Sequence, residues 1–163
     1  MLLLFDIDGT LLLRAADAHA AAIREALRVV HGVKDAPRRG LEVAGRTDGD
    51  IARKLLLLAG ISAEQIDARA DDVRIAACEA YARLVPDDLS QHVAPGMSAL
   101  LERLAQREDT LLALVTGNFE PIARMKLRAA GIGRFFDRGQ GGFGSDHEDR
   151  AMLPQIARLR AGD

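Results

Sequence analysis

Three features of the sequence predict an α/β protein with a parallel sheet and a helical insertion. A short apolar run, Leu2 to Phe5, stops at the acidic turn Asp6-Ile7-Asp8-Gly9. From about residue 93 onward, helical and strand patterns alternate, and such alternation implies parallel strands joined by crossover helices. Between these, from about Arg14 to His92, every periodic stretch has helical spacing. The expected organisation is a core made of residues 1–13 and 93–163, with residues 14–92 forming a helical cap over the site.

Each element has its own signal. Leu2 to Phe5 are apolar without alternation, as in a strand buried on both faces of a parallel sheet. "ADAHAAAIREALRVVHG" carries Ile23, Leu27 and Val30 at helical spacing and stops at Gly32. "RTDGDIARKLLLLAG" repeats that form, with Thr47 or Asp48 as N-cap and Gly60 as the stop. A further helix starts at Ser62, which has capping-box spacing to Gln65, and runs toward Pro86. After it come a helix in "APGMSALLERLAQ", an apolar strand in "TLLALVTGN", and a helix with Pro121 early and Gly131 at its end. "GQGGFGSD" suits a third short strand, and Leu153, Ile156 and Leu159 mark a last helix.

Composition excludes several classes of function. The chain has 163 residues, enough for a real core, and a net charge of −2, with no basic face for nucleic acid. Cys78 is the only cysteine, which rules out a disulfide framework and fits a reducing compartment, with the cytoplasm as the expected location. "MLLLF" lacks the basic leader of an export signal, and acids interrupt it at Asp6 and Asp8. No other apolar run reaches membrane-spanning length, so no membrane association is expected.

Two acids at a strand's carboxyl end stand where open α/β sheets bind ligands. One carboxylate there can attack a phosphorus atom, while a second can protonate the leaving oxygen and later deprotonate water. A phosphate beside two carboxylates also needs positive charge, for which Mg²⁺ with oxygen ligands is suited. The plainer alternative is an exposed turn, since Asp and Gly are common turn residues. "LALVTGN" weighs against it, because Thr116, Gly117 and Asn118 bring a hydroxyl and free N–H groups to a second strand end, beside a helix N-terminus.

"DIDGTLL" together with "LVTGN" resembles the haloacid dehalogenase superfamily of hydrolases, whose core is a Rossmannoid parallel sheet. The helical insertion, "PGMSALLERLA" and "LRAAGIGRFFD" are similar to its phosphoglycolate phosphatase and β-phosphoglucomutase branch. The resemblance implies Asp6 as nucleophile and metal ligand. It implies Asp8 as general acid and base, offering its backbone carbonyl to Mg²⁺. Thr116, Gly117 and Asn118 would bind phosphate, and Gly9 and Thr10 would shape the turn. Dehalogenases lack the acid at the Asp8 position, so its presence favours phosphoryl transfer. On this reading Asp8→Ala slows turnover and preserves the fold.

The family's third motif is a Lys or Arg that offsets the negative charge. Arg150 is the better match, and Lys126, in the middle of a helix, reads as a solvated charge. Arg46, in "AGRTDGDIA", resembles a cap-loop residue that contacts substrate, whereas Thr47 and Asp48 read as helix caps. His19, His31, His92 and His147 show no metal-ligand spacing. A fourth motif, an acidic pair after another strand, is not found, because Gly162 and Asp163 follow a helical pattern. The core is therefore expected to be incomplete at its C-terminal end, as in a truncated member. Such a chain would self-associate through the exposed edge of the first strand. The expected activity is Mg²⁺-dependent hydrolysis of a small phosphorylated metabolite through an aspartyl-phosphate, impaired by the incomplete C-terminal end. The alternatives are a phosphomutase of the same branch and an inactive phosphate-binding module.

Overall fold

The computed structural model describes residues 1–34 and 42–162. Asp163, half of the rejected acidic pair, lies outside them. Three parallel strands form the sheet in the order β1 (Leu2–Phe5), β2 (Leu111–Thr116), β3 (Gly142–Phe143). Leu2 stands opposite Leu111 and Phe5 opposite Leu114, and Val115 stands opposite Gly142. The fold is thus α/β with a parallel sheet, as the alternation of patterns predicts.

One expectation for the sheet needs correction. β1 is not buried on both faces: Leu4 is 37% exposed, and its other residues are only half-buried. The deeply buried strand is β2, through Leu112, Ala113 and Leu114. The physical reason is position, since among the described residues β1 has a neighbour on one side only.

After β1 the chain turns at Gly9, whose φ of +82° favours glycine. Leu11 and Leu12, both buried, anchor the turn. There the outgoing chain meets the returning one: Leu13 N–H donates to the His92 carbonyl, and Ala94 N–H donates to the Leu11 carbonyl. The elements described between these contacts are helices: α1 (Asp17–His31), α2 (Asp48–Leu58), α3 (Ala63–Ala68) and α4 (Ala70–Leu84). The Ser62 capping box is present with both reciprocal bonds, but the helix it opens is short. The chain breaks at Arg69, where φ is −125° and ψ 17°, and resumes as α4.

Two apolar clusters divide the interior. One joins Ile23, Leu27 and Val30 of α1 to Leu56, Val73 and Tyr81. It also takes in Phe119 and Ile122 at the start of α6 (Glu120–Ala129), so the helical stretch packs on the core through α6. The other cluster backs the sheet, with Ile7, Leu112, Leu114, Leu127, Phe136 and Phe143 and with Leu101 of α5 (Met97–Ala105). The final helix is α7 (Leu153–Arg160). No helix among the described residues is long and apolar enough to cross a membrane.

Candidate active site

Asp6 and Asp8 follow β1, and both border a cavity of ≈ 530 Å³ that also meets α1, the loop before α2, Asn118 and Arg150. The two acids occupy different environments. Asp6 Oδ1 accepts the backbone N–H of Ile7 at 2.7 Å, and its Oδ2 accepts from the Arg150 guanidinium at 2.5 Å. The guanidinium thus offsets the Asp6 charge at the cavity wall.

Asp8 is held more heavily. Lys126 Nζ donates to its Oδ1 at 2.8 Å and to its Oδ2 at 2.7 Å, and Asn118 Nδ2 donates to Oδ2 at 2.9 Å. Burial raises the proton affinity of this carboxyl. The charge of Lys126 and the hydrogen bonds from Lys126 and Asn118 together outweigh burial, and hold the carboxyl below its ordinary value of 3.8.

Lys126 therefore overturns its reading as a solvated charge: it is wholly buried. Its third contact is with His19 Nδ1 at 3.0 Å, and His19 Nε2 lies 2.9 Å from Asp48 Oδ2. An ammonium has no lone pair, so His19 Nδ1 accepts and Nε2–H donates to Asp48. Asp48 Oδ2 also accepts the Phe119 backbone N–H at 2.7 Å. A buried polar chain thus runs from Asp8 through Lys126 and His19 to Asp48 and the start of α6. It ties α1 and α2 to the carboxyl end of β1.

The capping assignment divides between the two candidates. Thr47 is the N-cap of α2, accepting from Asp50 N–H, and its hydroxyl donates to the Glu148 carbonyl at 2.6 Å. Asp48 does not cap; its side chain turns inward to His19 and Phe119. The signal for both missed residues lay in periodicity. His19 shares the α1 stripe of Ile23 and Val30, and Lys126 shares the α6 stripe of Ile122, Ala123 and Ala130.

The residues expected around phosphate are not all brought together. Asn118 and Arg150 border the cavity, whereas Thr116 and Gly117 do not. Thr116 is fully buried, with its Oγ1 facing Asn118 N–H at 3.4 Å. Gly117 is covered by the Arg46–Thr47 backbone: a Cβ placed on it would lie 2.1 Å from the Arg46 carbonyl oxygen. Arg46 borders the cavity, but its guanidinium is spent on Asp50 at 2.8 Å and on the Glu42 carbonyl at 2.6 Å. His147 is exposed. Cys78 is half-buried packing in α4, its thiol pushed up to about 11 chiefly by burial.

The donors suit a hard cation in kind. Asp6 brings a carboxylate to the cavity beside Asp8, whose own carboxylate is held by Lys126 and Asn118, and Mg²⁺ commonly takes one or two carboxylates and completes its shell with water and substrate phosphate. Among the described residues no group of three or more acidic, His or Cys side chains is placed to hold a metal. Asp146 adds no ligand, being committed to Arg160 and to the Phe143 N–H, and Asp149 caps Ala151.

A family model described as haloacid dehalogenase-like hydrolase matches residues 3–160. No curated protein matches the chain.

Proposed function

The chain belongs to the haloacid dehalogenase-like hydrolase family, and from that premise we propose that it hydrolyses phosphate monoesters through a covalent aspartyl-phosphate. The observation that carries this reading is the pair of carboxylates after β1, both on one cavity, each with its own cation: Arg150 on Asp6 and Lys126 on Asp8.

Asp6 attacks phosphorus, the ester P–O bond breaks, and Asp8 gives a proton to the leaving oxygen. Water then attacks the aspartyl-phosphate, loses its proton to Asp8, and releases phosphate and free Asp6. At rest Asp8 is a carboxylate, ready for the second half of this cycle. A dianionic ester beside it favours the protonated form needed for the first half. Arg150 steadies the nucleophile and takes a phosphate oxygen when the ester displaces its contact with Asp6. The Asp6 carboxylate and the Asp8 backbone carbonyl would hold Mg²⁺, whose charge would offset the negative charge that phosphate brings beside the two acids. Helices α1 to α4 act in this reading as a cap, with Arg46 on the loop that borders the cavity.

Phosphate release from small monoesters, measured with and without Mg²⁺, tests the proposal. Turnover is expected to need Mg²⁺ and to vanish in Asp6→Asn. In Asp8→Ala it is expected to fall by about 10²–10⁴-fold, the usual contribution of a general acid or base. Magnesium-independent activity that survives Asp6→Asn would overturn it.

A further inference from the structure

The cavity that holds Asp6 and Asp8 has two unlike kinds of lining. Asp6, Asp8, Asn118 and Arg150 supply polar groups. Most of the lining from two helices is apolar: Ala16, Ala20 and Ile23 lie at four- and three-residue spacing along α1 and its N-cap, and Ile51 and Leu55 lie four apart on α2. Residues so spaced share one helix face, so each helix presents an apolar stripe to the same space. Ala16 and Ala20 are exposed. At ≈ 530 Å³ the space falls well inside the range of small-molecule sites, about 300–1,000 Å³.

That wall has little to offer a polyol. Hydroxyl groups brought against alanine, isoleucine and leucine would lose water without gaining partners, which is costly. Arg46 is committed to Asp50 and Glu42, and His19 and Asp48, which also line the cavity from α1 and α2, are engaged with each other, with Lys126 and with the Phe119 N–H, leaving Arg24 as the charged side chain there. An apolar body would lose no hydrogen bonds there, and would cover Ala16 and Ala20.

We propose that the substrate is a phosphate monoester with an apolar organic body, phosphate toward Asp6 and Arg150 and body along the stripes of α1 and α2. This rests on the phosphatase reading of the same site.

Binding of n-alkyl phosphonates, which cannot be hydrolysed at phosphorus–carbon by this chemistry, tests the inference by titration calorimetry in Mg²⁺ buffer. From methyl through butyl to hexyl phosphonate, Kd is expected to fall about fourfold per added methylene until the wall is covered. Ala20→Trp, which fills the wall from the α1 side, is expected to collapse the hexyl-to-methyl ratio. Ile51→Asp, from the α2 side, is expected to do the same. Equal Kd values along the series, no binding by any member, or tighter binding of a hydroxylated phosphonate of equal length would each overturn the inference. Phosphate release from matching alkyl phosphates separates the two proposals. A rising affinity series with no ester hydrolysed sinks the phosphatase reading and sustains the apolar site. Hydrolysis with a kcat/KM indifferent to chain length does the reverse.

Discussion

Lys126 and Asp8 are 118 positions apart in sequence and meet in a two-pronged ion pair, with Nζ 2.8 Å from Oδ1 and 2.7 Å from Oδ2. The ammonium is wholly buried, while the carboxylate keeps one side on the cavity. The pair is therefore asymmetric: removing Asp8 strands a buried cation, whereas removing Lys126 leaves a carboxylate that water can reach.

This changes what Asp8→Ala is expected to do. The fold is not indifferent to it, because breaking a buried pair from one side costs about 3–5 kcal/mol. Lys126→Met in the same chain removes the stranded charge and is expected to restore most of that loss. Denaturant melts of the two single variants and the double variant measure the coupling. Simple additivity of the two losses would show that Lys126 does not depend on Asp8.

The same pair sets an acid limit to stability. Burial opposes the Asp8 charge, but Lys126 and Asn118 more than compensate, so the carboxyl lies below 3.8 in the folded chain. The unfolded chain therefore binds more protons in the interval between the two values. The stabilisation from Asp8 is fully present above about pH 3.8 and is lost as pH falls through the lower, folded value. The stability gap between the wild type and Asp8→Asn is expected to be flat from pH 7 to about pH 4 and to narrow below it. Thermal melts across that range check the sign; a gap that narrows only as pH rises contradicts it.

Much of the site was legible because its signals are local. Asp6, Asp8 and Asn118 sit at strand ends that follow apolar runs, and Arg150 stands just before the last apolar periodicity. The partners of Asp8 were not legible in this way. Lys126 and His19 lie 107 positions apart, and each is a single polar residue within an apolar helical stripe. Such a residue reads as surface unless its stripe is taken as the stronger witness. Asp48 misled for a different reason: at the start of a helix, an Asp that caps and an Asp that turns inward have the same sequence pattern. The partial exposure of β1 was hidden because a run of four apolar residues does not tell a central strand from an edge one.

Gly117 holds the loop before α2 against the sheet. Its carbonyl accepts the Asp48 N–H at 2.8 Å, and a Cβ would lie 2.1 Å from the Arg46 oxygen, backbone against backbone. Neither chain can rotate away, so Gly117→Ala must push the Arg46–Asp48 segment outward and disturb the Asp48 contacts to His19 and Phe119. A loss of about 1–3 kcal/mol is expected, as for other overpacked sites, together with a fall in kcat/KM. Gly133→Ala is the control, since its nearest neighbour would be at 3.4 Å, an ordinary contact. Melting temperature and turnover should fall together in the first variant and stay near wild type in the second.

The edge of β1 carries the last expectation, self-association of this chain. β1 bonds to β2 on one side, and among the described residues no strand covers the other. Its open edge runs beside Leu4, which is 37% exposed, with no charge from Leu2 to Phe5 to discourage a second strand. An uncharged apolar edge is a template for pairing, and a lysine on the edge strand is a common means of blocking it. The mass measured by light scattering is therefore expected to rise with concentration in the wild type. Leu4→Lys is expected to hold the chain monomeric and to lower its stability by no more than about 1–2 kcal/mol, because Leu4 is already 37% exposed. A wild type that stays monomeric throughout, or a Leu4→Lys variant that associates as strongly, would locate any association elsewhere than this edge.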